Sequence, residues 1–133
     1  FRDALDVDAA RTVMDFMAQA QSPESIVQIR VLGGAMARVH ADATAFAHRD
    51  APVLVAVMSA YSGEPAPFVA WVTEIEDALT PPAAGVYANF LEEEGPARLH
   101  AAYPRVAYER LVAVKRRWDP SNVFNRTQNI RPI

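Results

Sequence analysis

The sequence predicts an α+β fold, an antiparallel sheet with helices packed on one face. Three observations carry that prediction. Apolar residues at helical spacing occupy the beginning, middle and end of the chain. Strand-like runs lie between them, joined by short turn signals as often as by stretches long enough for a crossover. No internal repeat, low-complexity tract or long linker divides the 133 residues, so one domain over 1–133 is expected.

Taken in order, Asp6 and Asp8 offer N-caps to a run in which Ala10, Val13, Met14 and Met17 share a helical face, predicting a helix over about residues 7 to 20, before Ser22 and Pro23. In SIVQIRVLGG, Val27, Ile29 and Val31 alternate with Gln28 and Arg30, the period of a strand with one wet face, and Gly33 and Gly34 end it. TAFAHR and VLVAVMSAY flank RDAP and are expected as neighbouring antiparallel strands. Phe68, Trp71, Val72, Ile75 and Leu79 then mark the clearest amphipathic helix, stopped by Thr80, Pro81 and Pro82. VYANF is expected as a short strand, and EEEGPARLHAAYP as a short helix or turn. From Pro104, Ala107, Leu111, Val114 and Trp118 form the stripe of a final helix that ends at Asp119 and Pro120.

Composition narrows the function. With 13 basic and 16 acidic residues the net charge is −3, so no general positive field attracts nucleic acid or an anionic membrane. No apolar run approaches the roughly 20 residues that span a bilayer, and FRDALDVDAARTV has acids where a signal peptide carries a basic and then an apolar region. The expectation is a cytoplasmic protein. The absence of cysteine removes disulfides, thiolate metal sites and cysteine nucleophiles.

Local chemical motifs are few. His40, His48 and His100 form no HxxxH or HxH pair, which argues against a metal site and for ordinary surface or sheet-face roles. Glu92, Glu93 and Glu94 read as a solvated surface, and Lys115, Arg116 and Arg117 as cations meeting the negative end of a helix dipole. No GxGxxG, GxxxxGK[ST] or GxSxG is present. Two places remain. Strand alternation in VYANF would point the Tyr87 phenol and the Asn89 amide the same way, and spacing alone favours an ordinary surface pair. After the turn signal DPSN, Val123 and Phe124 are expected to return to the core and anchor Asn125, Gln128 and Asn129. Those amides suit either a heteroaromatic ring edge or ribityl chain, or a tail strapped to backbone, and spacing does not choose between them.

YERLVAVKRRWDPSNVFNRTQNIRP resembles the C-terminal signature of the berberine bridge enzyme-like FAD-linked oxidases. Tyr108, Leu111, Lys115, Asp119, Pro120, Asn122, Phe124, Gln128, Ile130 and Pro132 all fit that pattern. VYANF resembles the family's YxNF or YxNY element, and QIRVLGGAMARV with TAFAHR resembles its bacterial substrate-domain strands. The resemblance implies the substrate domain of a larger flavoprotein, with residues 104–133 as its terminal BBE segment and FAD gripped by a separate N-terminal FAD-binding domain as partner. It implies Tyr87 as a catalytic residue facing a small-molecule substrate, with Asn89, Asn125, Gln128 and Asn129 at the cofactor. The implied reaction is hydride transfer from substrate to flavin. The attachment motif of that N-terminal domain has no counterpart here, so this chain alone is not expected to retain FAD or turn over, and a separated domain is open to homo-oligomerisation. The rival expectation is a non-enzymatic α+β module that associates with a partner chain.

Overall fold

Asp6 opens the first helix, α1 (Val7–Ala18), by accepting the Ala9 N–H at 2.8 Å, one of the donors that every helix start leaves without an intrahelical partner. The structure is a computed structural model that describes residues 1–81, 84–91, 95–126 and 128–133. The acidic run at Glu92, Glu93 and Glu94 lies outside the described residues. Beyond Pro23 the chain enters β1 (Ser25–Val31), which pairs antiparallel with β2 (Val53–Ser59) from Ser25 opposite Ser59 to Val31 opposite Val53. The Ser25 and Ser59 hydroxyls close one end of the ladder at 2.9 Å. Near its other end Arg2 bridges to Val53, exchanging backbone hydrogen bonds of 2.9 and 3.2 Å.

The second long helix, α2 (Ala66–Leu79), follows Pro65 and stops at Thr80, ahead of Pro81. Trp71, Val72, Ile75 and Leu79 of its predicted stripe join the core, whereas Phe68 stacks on Tyr61. Ile75 has no exposed surface, Trp71 and Leu79 are buried with Ala9 of α1, and Val27, Val55 and Val57 pack against them. Strand alternation and register put those three valines on one face of the sheet, so α1 and α2 cover the same side. The Trp71 indole N–H donates to the Phe16 carbonyl at 2.9 Å, which gives the ring's one polar atom a partner inside the core. This is the α+β arrangement that the patterning predicts.

The chain divides into two compact units. Phe1–Leu32 and Ala51–Ala84 make the first, with α1, β1, β2 and α2. Gly33–Asp50 and Gly85–Ile133 make the second, with α3 (Pro96–Ala102), α4 (Arg105–Trp118) and single 3₁₀ turns at Met36–Arg38, Ala41–Ala43 and Ala88–Phe90. Within it the rings of His100 and Tyr108 meet at 4.7 Å, linking α3 to α4, and the Arg110 guanidinium reaches the Asp42 carbonyl.

Two expected strands are not formed. TAFAHR is an irregular loop, because Arg49 satisfies its polar groups locally: the guanidinium donates to the Thr44 hydroxyl at 2.6 Å, to the Phe46 carbonyl at 3.2 Å and to the Met36 carbonyl at 3.4 Å. VYANF bends into the Ala88–Phe90 turn, its Phe90 N–H returning to the Tyr87 carbonyl at 2.9 Å. A segment whose donors are spent on its own carbonyls has none left for a sheet ladder.

The final helix also departs from expectation beyond its middle. Ala107 is buried, but Val114 and Trp118 are 54% and 73% exposed. Val123 and Phe124 do not return to the core either, at 69% and 81% exposed. What holds this turn is polar. The buried Asp119 carboxylate accepts from the Val123 and Phe124 N–H groups at 2.7 and 3.0 Å and pairs with the Lys115 ammonium, which also donates to the Phe124 carbonyl at 2.6 Å. Asn122 takes a left-handed backbone, φ 53°, which asparagine tolerates better than most residues.

Candidate functional site

Gly85 makes room for the pocket. A Cβ built on it would lie 2.0 Å from the His48 ring, so the imidazole occupies space that any other residue would fill. His48 is thereby held against the Ala102 backbone, and burial lowers its pKa from 6.5 despite the opposing hydrogen bond there. It is neutral at pH 7.

Val86 follows, its N–H bonded to the Ala101 carbonyl at 3.4 Å, and Tyr87 enters the 3₁₀ turn from an extended backbone. The turn brings the Asn89 amide back onto its own neighbour: Nδ2 donates to the Tyr87 phenol oxygen at 2.9 Å. Phe46 and Phe90 meet the Tyr87 ring edge to face at 5.8 and 5.2 Å, fixing its plane. A cavity of about 170 Å³ opens beside this ring, lined by Ala45, Phe46, His48, Val86, Tyr87, Ala88, Asn89, Ala102 and Tyr103. The Tyr103 phenol is raised from 10.0 by burial and then by the nearby Tyr87.

The amides of the tail do not share this cavity. Gln128 donates from Nε2 to the Leu91 carbonyl at 2.8 Å, tying the tail to the residue after the Tyr87 turn. Asn125 is exposed and donates to the Asn122 carbonyl at 3.1 Å. Asn125 and Asn129 line a second, more open cavity of about 710 Å³ with Asn122, Arg126 and Arg131. The Asn129 Oδ1 is buried there and has no hydrogen-bond partner among the described residues. Thus Tyr87 and Asn89 meet directly, Gln128 anchors the tail beside them, and Asn125 and Asn129 face a different space. Among the described residues no group of three histidine, aspartate or glutamate side chains could hold a metal ion.

Sequence reasoning passed over Phe46, His48 and Tyr103 as a set. Only two local signals point to them: a glycine immediately before the Val86–Tyr87 step, and a proline fixing the backbone of Tyr103.

Residues 86–131 match the family described as berberine and berberine-like, a region that includes Tyr87, Asn89, Tyr103 and the whole amide tail. A protein of Bacillus subtilis named as the uncharacterized FAD-linked oxidoreductase YgaK is 33% identical over 131 residues, covering 94% of this chain and 28% of that protein. An FAD-linked oxidoreductase of Dictyostelium discoideum is 25% identical over 135 residues, covering 99% of this chain and 29% of its own length. The chain therefore spans under a third of the curated relatives it matches. Residues 86–131 match the berberine and berberine-like family, and along its length the chain is similar to a stretch of proteins named as FAD-linked oxidoreductases.

Proposed function

We propose that the chain is the substrate-covering part of a longer FAD-dependent oxidoreductase, acting on a small organic substrate with an N-terminal FAD-binding domain of the same protein. The observation that carries this is the Tyr87 phenol, held at the wall of a cavity with its oxygen bonded by Asn89, inside the region matching the berberine-like family. The tail fits a flavin's polar edge in one respect: a buried amide oxygen at Asn129 has no hydrogen-bond partner among the described residues, and the cavity that Asn129 lines also includes Arg126 and Arg131. FAD, when bound, supplies the acceptor for a hydride leaving a substrate carbon.

The chain's own residues handle the proton. Tyr87 is the group placed to take the proton that a substrate hydroxyl releases as its carbon loses hydride and becomes a carbonyl. The Asn89 N–H donates to that phenol oxygen and orients it, and Phe46 and Phe90 keep the ring from rotating away. Gln128 ties the tail to Leu91, so that Asn125 and Asn129 are carried on an anchored segment toward the cofactor.

The test is Tyr87→Phe in the longer protein. Turnover should fall by roughly 100-fold while flavin absorbance is retained, the usual scale for losing a proton-transfer group. Unchanged turnover removes the catalytic role, and a colourless longer protein removes the flavin. A second reading has its own observation: Val114, Trp118, Val123 and Phe124 expose apolar surface on and beyond α4, as in a non-enzymatic module that associates with a partner chain. On that reading Tyr87→Phe is silent and removal of the apolar side chains is not.

A further inference from the structure

We propose that Tyr103 is a ligand-binding phenol of the same pocket: it donates its hydroxyl hydrogen to an oxygen on a single six-membered ring seated in the cavity that Phe46 and Tyr87 line. The inference rests on the reading of the Tyr87 cavity as ligand-facing, and it adds a residue and a ring size to that reading.

The ring size comes from the cavity itself. At about 170 Å³ it is close to the roughly 150 Å³ that accepts benzene in an apolar protein cavity, room for one ring. Its walls suit a ring face: Phe46 is aromatic, and Ala45, Val86, Ala88 and Ala102 are small and apolar. Polar atoms are confined to a few side chains, the usual composition of a site that fixes orientation with one or two hydrogen bonds.

Tyr103 is positioned rigidly for the role. It caps the C-terminus of α3, its N–H donating to the Leu99 carbonyl at 2.9 Å, and Pro104 confines it to the extended backbone observed, φ −122° and ψ 94°. Half-buried and close to a second phenol, its hydroxyl is raised from 10.0 and holds its proton at pH 7. No hydrogen bond engages that hydroxyl among the described residues, whereas the Tyr87 oxygen already receives one from Asn89. The ring's oxygen is therefore read by Tyr103.

Binding of 4-fluorophenol and of fluorobenzene to the 133-residue chain, followed by fluorine NMR at pH 7, tests this. The wild-type chain should prefer 4-fluorophenol by roughly three- to tenfold, the worth of one hydrogen bond. Tyr103→Phe should bind fluorobenzene as before and lose the preference, while Tyr87→Phe keeps it. Retained fluorobenzene binding shows that the Tyr103→Phe pocket is intact. Ala88→Leu, which fills the cavity, should abolish binding of both probes. A preference that survives Tyr103→Phe, wild-type binding of neither probe, or binding unaffected by Ala88→Leu would overturn the proposal. None of these outcomes depends on flavin, so a failure here is distinct from a colourless longer protein.

Discussion

Gly85 and His48 show how much of the site depends on single atoms. No φ constraint demands glycine at 85; the demand is steric, from an imidazole 2.0 Å from where a Cβ would sit. Gly85→Ala must displace that half-buried ring or the backbone, and such overpacking costs about 1–3 kcal/mol. Urea unfolding should report that loss, and the fluorobenzene affinity of the pocket should fall with it. The same histidine makes stability depend on pH in a stated direction. Its folded pKa lies below 6.5, so the unfolded chain binds a proton first as pH falls. The contribution is complete above 6.5 and is lost as pH falls from there toward the folded value; His48→Gln should flatten the urea midpoint across that window. Tyr103 acts at the other end of the scale: raised above 10.0, it favours the folded state until pH climbs past that point.

At the scale of elements, α4 is terminated by a clasp and not by a glycine. Asp119 accepts two backbone N–H groups of the following turn while Lys115, one helical turn earlier, pairs with it and holds the Phe124 carbonyl. The Lys115 hydrogen bond is the main reason the Asp119 carboxyl titrates below its usual 3.8, with the Val123 and Phe124 amides adding to it. A depressed acid of this kind contributes its stability above the ordinary pKa and loses it as pH falls through the folded one. Asp119→Asn keeps the shape but not the charge, and hydrogen exchange at the Val123 and Phe124 amides should quicken by roughly tenfold or more, with little change in α1 or α2. Val123 and Phe124 then explain themselves: they are exposed because polar bonds, not burial, hold the turn.

For the whole molecule the informative feature is the apolar surface left on α4 and its following turn. Arg117 lies over the Trp118 ring at 4.8 Å, yet the indole remains 73% exposed. An exposed residue of this kind contributes little to the fold of the chain that carries it. Trp118→Ser should therefore change the urea midpoint by under about 0.5 kcal/mol equivalent, while weakening association with the partner chain of the second reading, for which a separately produced FAD-binding part is the first candidate, by tenfold or more. Equal association of the two forms would remove this surface from the proposed interface.

The sequence by itself determined the first unit. A 3.6-residue apolar period in α2, a 2-residue period in β1 and an Asp cap on α1 are local signals, and Ile75, Trp71 and Val27 of the core follow from them, while Ile29 and Val31 of the same β1 period stay exposed. It also held the berberine-like segment, because DPSN and the amides after it follow one another in the chain. The tertiary structure alone decided the site. Apolar content in TAFAHR and VYANF reads as strand, but the Arg49 guanidinium engages the Phe46 carbonyl and a 3₁₀ turn engages the Tyr87 carbonyl, backbone acceptors that a sheet would use. His48, Tyr87 and Tyr103 stand far apart in sequence, and what joins them is a missing Cβ at Gly85 and a proline after Tyr103. Periodicity measures which way neighbours in the chain face, and carries no information on which distant side chains will share one cavity.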